Sequence, residues 1–194
     1  MNFGEVVVKR RSIRKFKEDP VPEKALGKVL EAGRWAPSAG NCQPWHFIVV
    51  TDAEVKKRIA GVCTEFSRKA WAKFSPERAK YLAARGGSWD KSSMAKIPVL
   101  VAVCYEVVER MRWDLVLGSV WAAVENMLLA ATAEGLGSCI YTFYDIEEEN
   151  GLKEIVQVPD GFRIAAVVQL GYGAVEAPLP SRKPLREIVS YEHF

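Results

Sequence analysis

After Pro22 the apolar positions Leu26, Val29 and Leu30 recur at three- and four-residue spacing, which predicts one face of a helix with Pro22 in its first turn. Gly33 falls on the same face without apolar bulk, a choice that lowers helix propensity and lets a neighbouring element come close. Pro37 ends the pattern. The run Trp45-His46-Phe47-Ile48-Val49-Val50 is short, apolar and β-branched and predicts a strand, and Thr51-Asp52 then gives a helix start ahead of Val55, Ile59 and Val62. A polar helical stretch is predicted from Glu65 to Arg85, closed by Gly86-Gly87, and the unbroken apolar run Ile97 to Cys104 predicts a buried central strand. From about Asp114 to Glu134 a long helix carries Leu117, Trp121, Val124 and Leu128 on one side and the small or polar Ser119, Ala122, Asn126, Ala130 and Ala133 on another, stopped by Gly135-Leu136-Gly137. A short strand near Cys139 to Tyr141, an acidic helix from Ile146 to Val156 and a strand from Arg163 to Leu170 follow. The remainder, with Pro178, Pro180 and Pro184, is too interrupted for a helix and too apolar for a free tail, which predicts an extended arm lying against another surface. Helices and strands intermix without regular βαβ spacing, so the expected class is an α+β layered domain.

A length of 194 residues fits one domain, 1–194, and 49% hydrophobic with 26% charged residues excludes a disordered chain, a collagen-like repeat or a disulfide miniprotein. The net charge of +3 is too small to mark a bulk nucleic-acid or membrane binder, so the placement of the basic residues matters more than their sum. Cys42, Cys63, Cys104 and Cys139 stand far apart with no C-x-x-C pair, which indicates neither a zinc site nor a disulfide framework and leads to a cytoplasmic expectation. The first residues carry charge at Glu5, Lys9, Arg10 and Arg11 and lack the apolar run of a signal peptide. Leu115 to Ala133 is the most apolar window, but an acidic residue such as Glu125 at bilayer depth costs about 2.5–3.5 kcal/mol, so a buried helix is expected there.

Two segments could carry chemistry. Lys9-Arg10-Arg11-Ser12-Ile13-Arg14-Lys15-Phe16-Lys17 holds six basic residues among nine. If the chain is extended from Arg10, alternation puts Arg10, Ser12 and Arg14 on one face, two guanidinium forks and a hydroxyl suited to a phosphate. The plainer reading is a solvated basic edge, against which Ile13 and Phe16 offer anchors to a core. The second segment, Ala36-Pro37-Ser38-Ala39-Gly40-Asn41-Cys42-Gln43-Pro44-Trp45, joins a helix end to a strand. Its Asn41 and Gln43 amides can read a heterocycle bearing carbonyls and ring N–H groups, and the plainer reading is an ordinary turn.

In this order and separation the two segments resemble the nitroreductase family of FMN-dependent oxidoreductases. Arg10-Arg11-Ser12-Ile13-Arg14 matches the basic R-x-S-x-R/K signature, and Pro37 through Trp45 match P-S-x-x-N-x-Q-P-W. Glu125-Asn126-Met127, the run Gly135-Leu136-Gly137-Ser138-Cys139, Leu170-Gly171-Tyr172 and Arg182-Lys183-Pro184-Leu185 match further on, so the resemblance spans nearly the whole chain. It implies a layered fold with a central, mostly antiparallel sheet flanked by helices and an extended C-terminal arm. It also implies a homodimer with FMN in the interface, with NADH or NADPH as donor in a ping-pong cycle that passes two electrons to a small acceptor. That acceptor is a nitroaromatic, a quinone, another flavin or an enone, and some relatives perform reductive dehalogenation or flavin fragmentation.

Residue by residue, the resemblance gives Arg10, Arg11, Ser12, Arg182 and Lys183 the FMN phosphate. Arg14 comes to lie beside the flavin N1/O2 edge, where a fixed cation favours the added electrons. Pro37, Ser38, Ala39 and Asn41 line the cofactor, and Gln43 bonds the pyrimidine end or the ribityl chain from the partner subunit. Tyr141, Thr142 and Phe143 approach N5 through their backbone, although the family commonly has a small residue near Thr142 or Phe143. Phe143 either narrows the substrate pocket or turns into the core, the latter being the usual place of a lone aromatic in a strand. No side chain is expected to serve as catalytic acid, base or nucleophile, and no metal ligand set is expected. Between Lys69 and Ser93 the aromatics Trp71, Phe74, Tyr81 and Trp89 form either a mobile lid or a packed helical hairpin. His46 is expected to be structural, and neither Cys42 nor Cys139 is given a redox role. Two rival readings remain: a non-enzymatic anion or nucleic-acid binder that uses the basic arm 9–17, and a flavin carrier without turnover.

Overall fold

A computed structural model describes residues 1–84, 88, 90–108 and 110–194. Arg85, Gly86 and Gly87, where the polar helical stretch was expected to close, and Trp89 of the aromatic group lie outside the described residues.

Helix α1 (Phe3–Lys9) was not expected from periodicity. It starts on a reciprocal cap in which the Asn2 side chain accepts from Glu5 N–H at 3.0 Å and the Glu5 carboxylate accepts from Asn2 N–H at 3.1 Å. Helix α2 (Glu23–Arg34) buries Ala25, Val29 and Gly33. A Cβ on Gly33 would lie 2.9 Å from Met127 Cγ and 3.0 Å from Phe47 Cζ, so the missing side chain is what allows the close approach. Strand β1 (Trp45–Val50) leads to α3 (Ala53–Trp71), capped by the Asp52 carboxylate on Val55 N–H at 2.9 Å. Here the structure corrects the expected helix from Glu65 to Arg85. Residues 65–71 continue α3, helped by the Lys69–Glu65 pair at 2.6 Å, and a separate α4 (Pro76–Ala83) begins at the Ser75 cap, where Pro76 suits a first turn. Strand β2 (Val99–Glu106) starts just after Pro98, which has no N–H for the ladder. Helix α5 (Trp113–Ala133), strand β3 (Gly137–Tyr141), helix α6 (Ile146–Val156) and strand β4 (Phe162–Gly171) complete the regular elements among the described residues.

The sheet has the order β1-β2-β4-β3 with every pairing antiparallel, and β2 and β4 are buried on both faces. Alternation along β2 sends Val99, Val101 and Val103 toward α2 and α5 and sends Leu100, Ala102 and Cys104 toward α3 and α6. The result is a layered α+β arrangement with a core on each face of one sheet. Helix α5 is long and apolar enough to cross a membrane, yet Val120, Met127 and Ala131 are completely buried in the first core. Its small-residue stripe is partly used within the chain, since Asn126 donates to the Ala32 carbonyl at 3.1 Å and Ala130 packs on that core.

After β4 the chain pairs with the basic segment, Lys17 N–H donating to Tyr172 O and Ala174 N–H to Lys15 O, each at 2.9 Å. Residues 178–194 then leave the body, with one short 3-10 turn at Leu185–Glu187, and all of them are exposed. The arm is extended as expected, and apart from the few residues that face the basic segment it lies on neither core of this chain.

Candidate functional site

The basic segment is anchored and is not a loose edge. Chain direction changes at Arg10, Ile13 N–H donates to Ser138 O at 2.8 Å, and Ser12 forms a parallel bridge to Ser138. Ile13 packs where a Cβ on Gly137 would stand, at 2.9 Å, and the Phe16 ring does the same at Gly171, at 3.1 Å. These two apolar contacts hold the residues between them at the wall of a cleft of about 970 Å³. Arg10, Arg11, Ser12 and Arg14 line it, Val175 to Pro178 and Arg182 of the arm face them, and Ala84, Ser88 and Lys96 close another side.

Positive charge predominates in this cleft, where Arg10, Arg11, Arg14, Lys15, Lys96 and Arg182 face the carboxylates of Glu18, Asp90 and Glu176, and Glu18 pairs with Lys96 at 3.6 Å. Arg10 Nε pairs with Glu125 at 3.3 Å. The Arg11 guanidinium turns back onto the carbonyls of Val8 and Arg10, the open end of α1, while its Nε is buried with no partner. Arg14 makes one long hydrogen bond, to Ser12 O at 3.4 Å, and Arg182 one to Ser181 O at 3.2 Å. Ser138 Oγ, beneath the segment, is also buried and unpartnered. Donors exceed acceptors here, an arrangement that fits a multiply charged oxyanion. Lys183 is exposed and is not among the described residues that line the cleft.

The second segment takes an unusual backbone. Past Pro37, Ala39–Asn41 form a 3-10 turn, and Gly40, Asn41 and Gln43 have φ of 54°, 55° and 45°. Left-handed geometry costs a non-glycine residue about 1 kcal/mol or more, so something must hold it. Ser38 Oγ accepts from Gln43 N–H at 3.0 Å, and Ser119 Oγ of α5 accepts from Ala39 N–H at 3.0 Å. The Asn41 and Gln43 side chains are exposed and bond each other at 3.2 Å, Gln43 donating. None of residues 37–43 lines the cleft.

Tyr141 ends β3 and Thr142 stands exposed after it. Phe143 packs into the second core and meets the Tyr141 ring edge-on at 6.2 Å, as expected of it. Tyr144 accepts a hydrogen bond from Trp71 Nε1 at 3.2 Å and lies against Phe74 at 6.3 Å, with Arg78 stacked 4.4 Å above Phe74. Trp71 and Phe74 are thus packed side chains of a helical pair. Lys91 sits 5.7 Å over the Tyr141 ring, and burial lowers its pKa. Burial also pushes up the Cys63 and Cys139 thiols, and that of Cys104 to about 12, which disfavours the thiolates a nucleophilic role needs. His46 stacks edge-on against Phe162 at 6.4 Å, a structural contact.

Three residues of the neighbourhood escaped sequence reasoning in these roles: Glu125 opposite Arg10, Ser119 beneath the 37–43 turn, and Glu148 beneath Tyr141. Glu148 carried one signal, its place three residues after the Asp145 helix cap, whose carboxylate accepts from Glu148 N–H at 2.9 Å. In the acidic run Glu147-Glu148-Glu149 nothing separates a buried carboxylate from a solvated one.

The sequence model described as the nitroreductase family matches residues 7–172. An iodotyrosine deiodinase from Thermotoga neapolitana is 30% identical over 186 residues, 96% of this chain and 95% of that protein. An NADH dehydrogenase from Thermus thermophilus is 30% identical over 195 residues, 94% of this chain and 92% of that protein. A solved structure of oxidized iodotyrosine deiodinase bound to FMN and 3-iodo-L-tyrosine superposes with a TM-score of 0.88 at 29% identity, covering 100% of both chains.

Proposed function

Because the chain belongs to the nitroreductase family, we propose that it is an FMN-dependent oxidoreductase that takes electrons from NADH or NADPH and passes two to a small acceptor. The observation that carries this reading is the surplus of basic side chains in the cleft at Arg10–Arg14. These residues fit FMN. Arg10, Arg11, Ser12 and Arg182 would hold its phosphate, with Lys183 outside the cleft, and Arg14 would set a fixed positive charge at the pyrimidine edge. When bound, FMN supplies two-electron transfer between a nicotinamide and a second substrate, so the chain's own residues need only bind, orient and set the field.

The separation of the 37–43 turn from the cleft supports a homodimer in which the partner copy supplies Ser38, Asn41 and Gln43. Apolar side chains left uncovered fit the same assembly: Phe3 is 75% exposed, Trp113 75%, Leu185 73% and Tyr191 83%. The four free thiols suit a reducing, cytoplasmic setting. Among acceptors a halogenated tyrosine is the first to test, since an iodotyrosine deiodinase stands among the relatives and a solved relative binds 3-iodo-L-tyrosine.

The test is a visible spectrum. The protein is expected to hold a yellow chromophore through high-salt purification, and anaerobic NADH or NADPH is expected to bleach it. A folded chain that stays colourless in excess FMN refutes the reading. A chromophore that neither nicotinamide bleaches leaves only a flavin carrier, and salt-sensitive oligonucleotide binding without FMN leaves the nucleic-acid binder. Arg14→Ala and Arg182→Ala each remove a charge-assisted donor and are expected to raise the Kd for FMN about tenfold in apoprotein titrations.

A further inference from the structure

Residues 142 and 143 form a two-residue step between the last residue of β3 and the bend that precedes α6. Such a short connection has no hydrogen-bond ladder of its own, so its position depends on what holds its ends. Both ends are held by one side chain. Glu148, completely buried on the first turn of α6, accepts from the Tyr141 hydroxyl on Oε1 and from the Tyr144 backbone N–H on Oε2, the latter at 2.8 Å. Ser67 Oγ lies 3.3 Å from the Tyr141 oxygen, and Tyr141 also reaches the Cys63 carbonyl at 3.5 Å, so the tyrosine is fixed from α3 as well. Phe143 between the tethers is wedged into the core, which leaves Thr142 as the exposed residue of the step.

We infer that Glu148 is a positioning residue that fixes the Thr142–Phe143 backbone for the cofactor by tethering both flanks of that step with a single buried carboxylate. The inference rests on the proposed FMN reading, in which this backbone meets the flavin near N5. Burial raises the Glu148 pKa while the bonds from Tyr141 and Tyr144 lower it, so this carboxyl is held in the protein interior by the two groups it positions. The mechanism proposed above has no other use for it, and a buried carboxyl costs stability unless its partners are in place.

Two variants separate the tether from the charge. Glu148→Gln keeps a carbonyl oxygen for Tyr144 N–H, whereas Glu148→Ala removes both tethers. Amide hydrogen exchange on the unloaded protein is the first readout. The Tyr144 amide is expected to exchange at least about tenfold faster in Glu148→Ala, while Glu148→Gln stays near wild type. In the FMN-loaded protein Glu148→Ala is expected to retain FMN but to shift its visible spectrum and slow its anaerobic reduction by NADH or NADPH about tenfold to a hundredfold, the scale set by misplacing a reacting geometry. Glu148→Gln is expected to restore most of the rate. Unchanged exchange in Glu148→Ala, or faster exchange with an unmoved spectrum and reduction rate, overturns the inference while leaving FMN binding intact. Failure of the wild-type protein to take up FMN overturns the reading beneath it. Should Glu148→Ala not fold, Tyr141→Phe removes one tether alone and must move the spectrum in a smaller step, and no movement there rejects the proposal equally.

Discussion

A chain shortened to residue 177 is expected to fold, to elute as a monomer and to bind FMN at least about a hundredfold more weakly than the full chain. Each part follows from the arm's position. Residues 178–194 are exposed throughout and belong to neither core, so their removal should change the unfolding free energy of the FMN-free chain by no more than about 0.5 kcal/mol, as for other surface changes. The same residues carry Arg182, which lines the cleft, and Lys183, and a hydrogen bond to a charged group contributes about 1.5–3 kcal/mol. They also carry Leu179, Leu185, Ile188 and Tyr191, exposed apolar side chains that the proposed dimer would cover, at about 1.5–3 kcal/mol for each Leu or Ile fully buried. In the proposed homodimer, cofactor and assembly would be linked, because a ligand bound across an interface favours the assembled state. Denaturant unfolding, size-exclusion chromatography and FMN titration check the three parts separately. A shortened chain that stays dimeric and yellow would show that the arm does neither job.

Replacing Glu149 by alanine should cost about 2–3 kcal/mol of stability, read from urea unfolding, with Glu149→Gln costing less. Glu149 is 3% exposed and joins α6 to β4. Its Oε1 accepts from Arg163 Nε at 3.0 Å and from Ile164 N–H at 2.9 Å, and its Oε2 accepts from Arg163 Nη2 at 2.6 Å. Ile164 lies beside the irregularity where the β2–β4 register shifts between Val103 and Cys104, and there the carboxylate takes up its N–H. Loss of the carboxylate strands that buried donor and half of an ion pair. The half-exposed Arg163 recovers some hydration, which keeps the cost below that of a fully buried pair. Glutamine retains an oxygen for Ile164, hence its smaller effect. A variant as stable as wild type would mean that α6 is held to the sheet by its apolar face alone.

The sheet and its covering helices were legible because burial imposes a period. Val99 to Cys104 had to be a two-sided strand, and the face of Leu26, Val29 and Leu30 had to meet a core. Helix α1 was not legible in that way: it is seven residues long, its apolar Val6-Val7-Val8 run shows no period, and its only signal was the Asn2–Glu5 cap. The break between α3 and α4 was written in Ser75-Pro76, a cap and a first-turn proline hidden in polar sequence. At the site, the anchoring of the basic segment could be expected from Ile13 and Phe16 between the charges. What could not be read was the distance between the two signature segments, because local pattern carries no information about which molecule completes a cleft. Nor could the burial of Glu148 be read, since its partners Tyr141 and Tyr144 are set by a turn and not by spacing.

The Ser12–Ser138 bridge bears on more than anion binding. Strand β3 is an edge of the sheet, and the extended residues after α1 lie along it, so its outward N–H and C=O groups are partly occupied. Mutations that loosen Ile13 or Phe16 would bare a ready template for strand addition by other molecules, and intermolecular aggregation, rather than simple loss of activity, is the defect such variants should display.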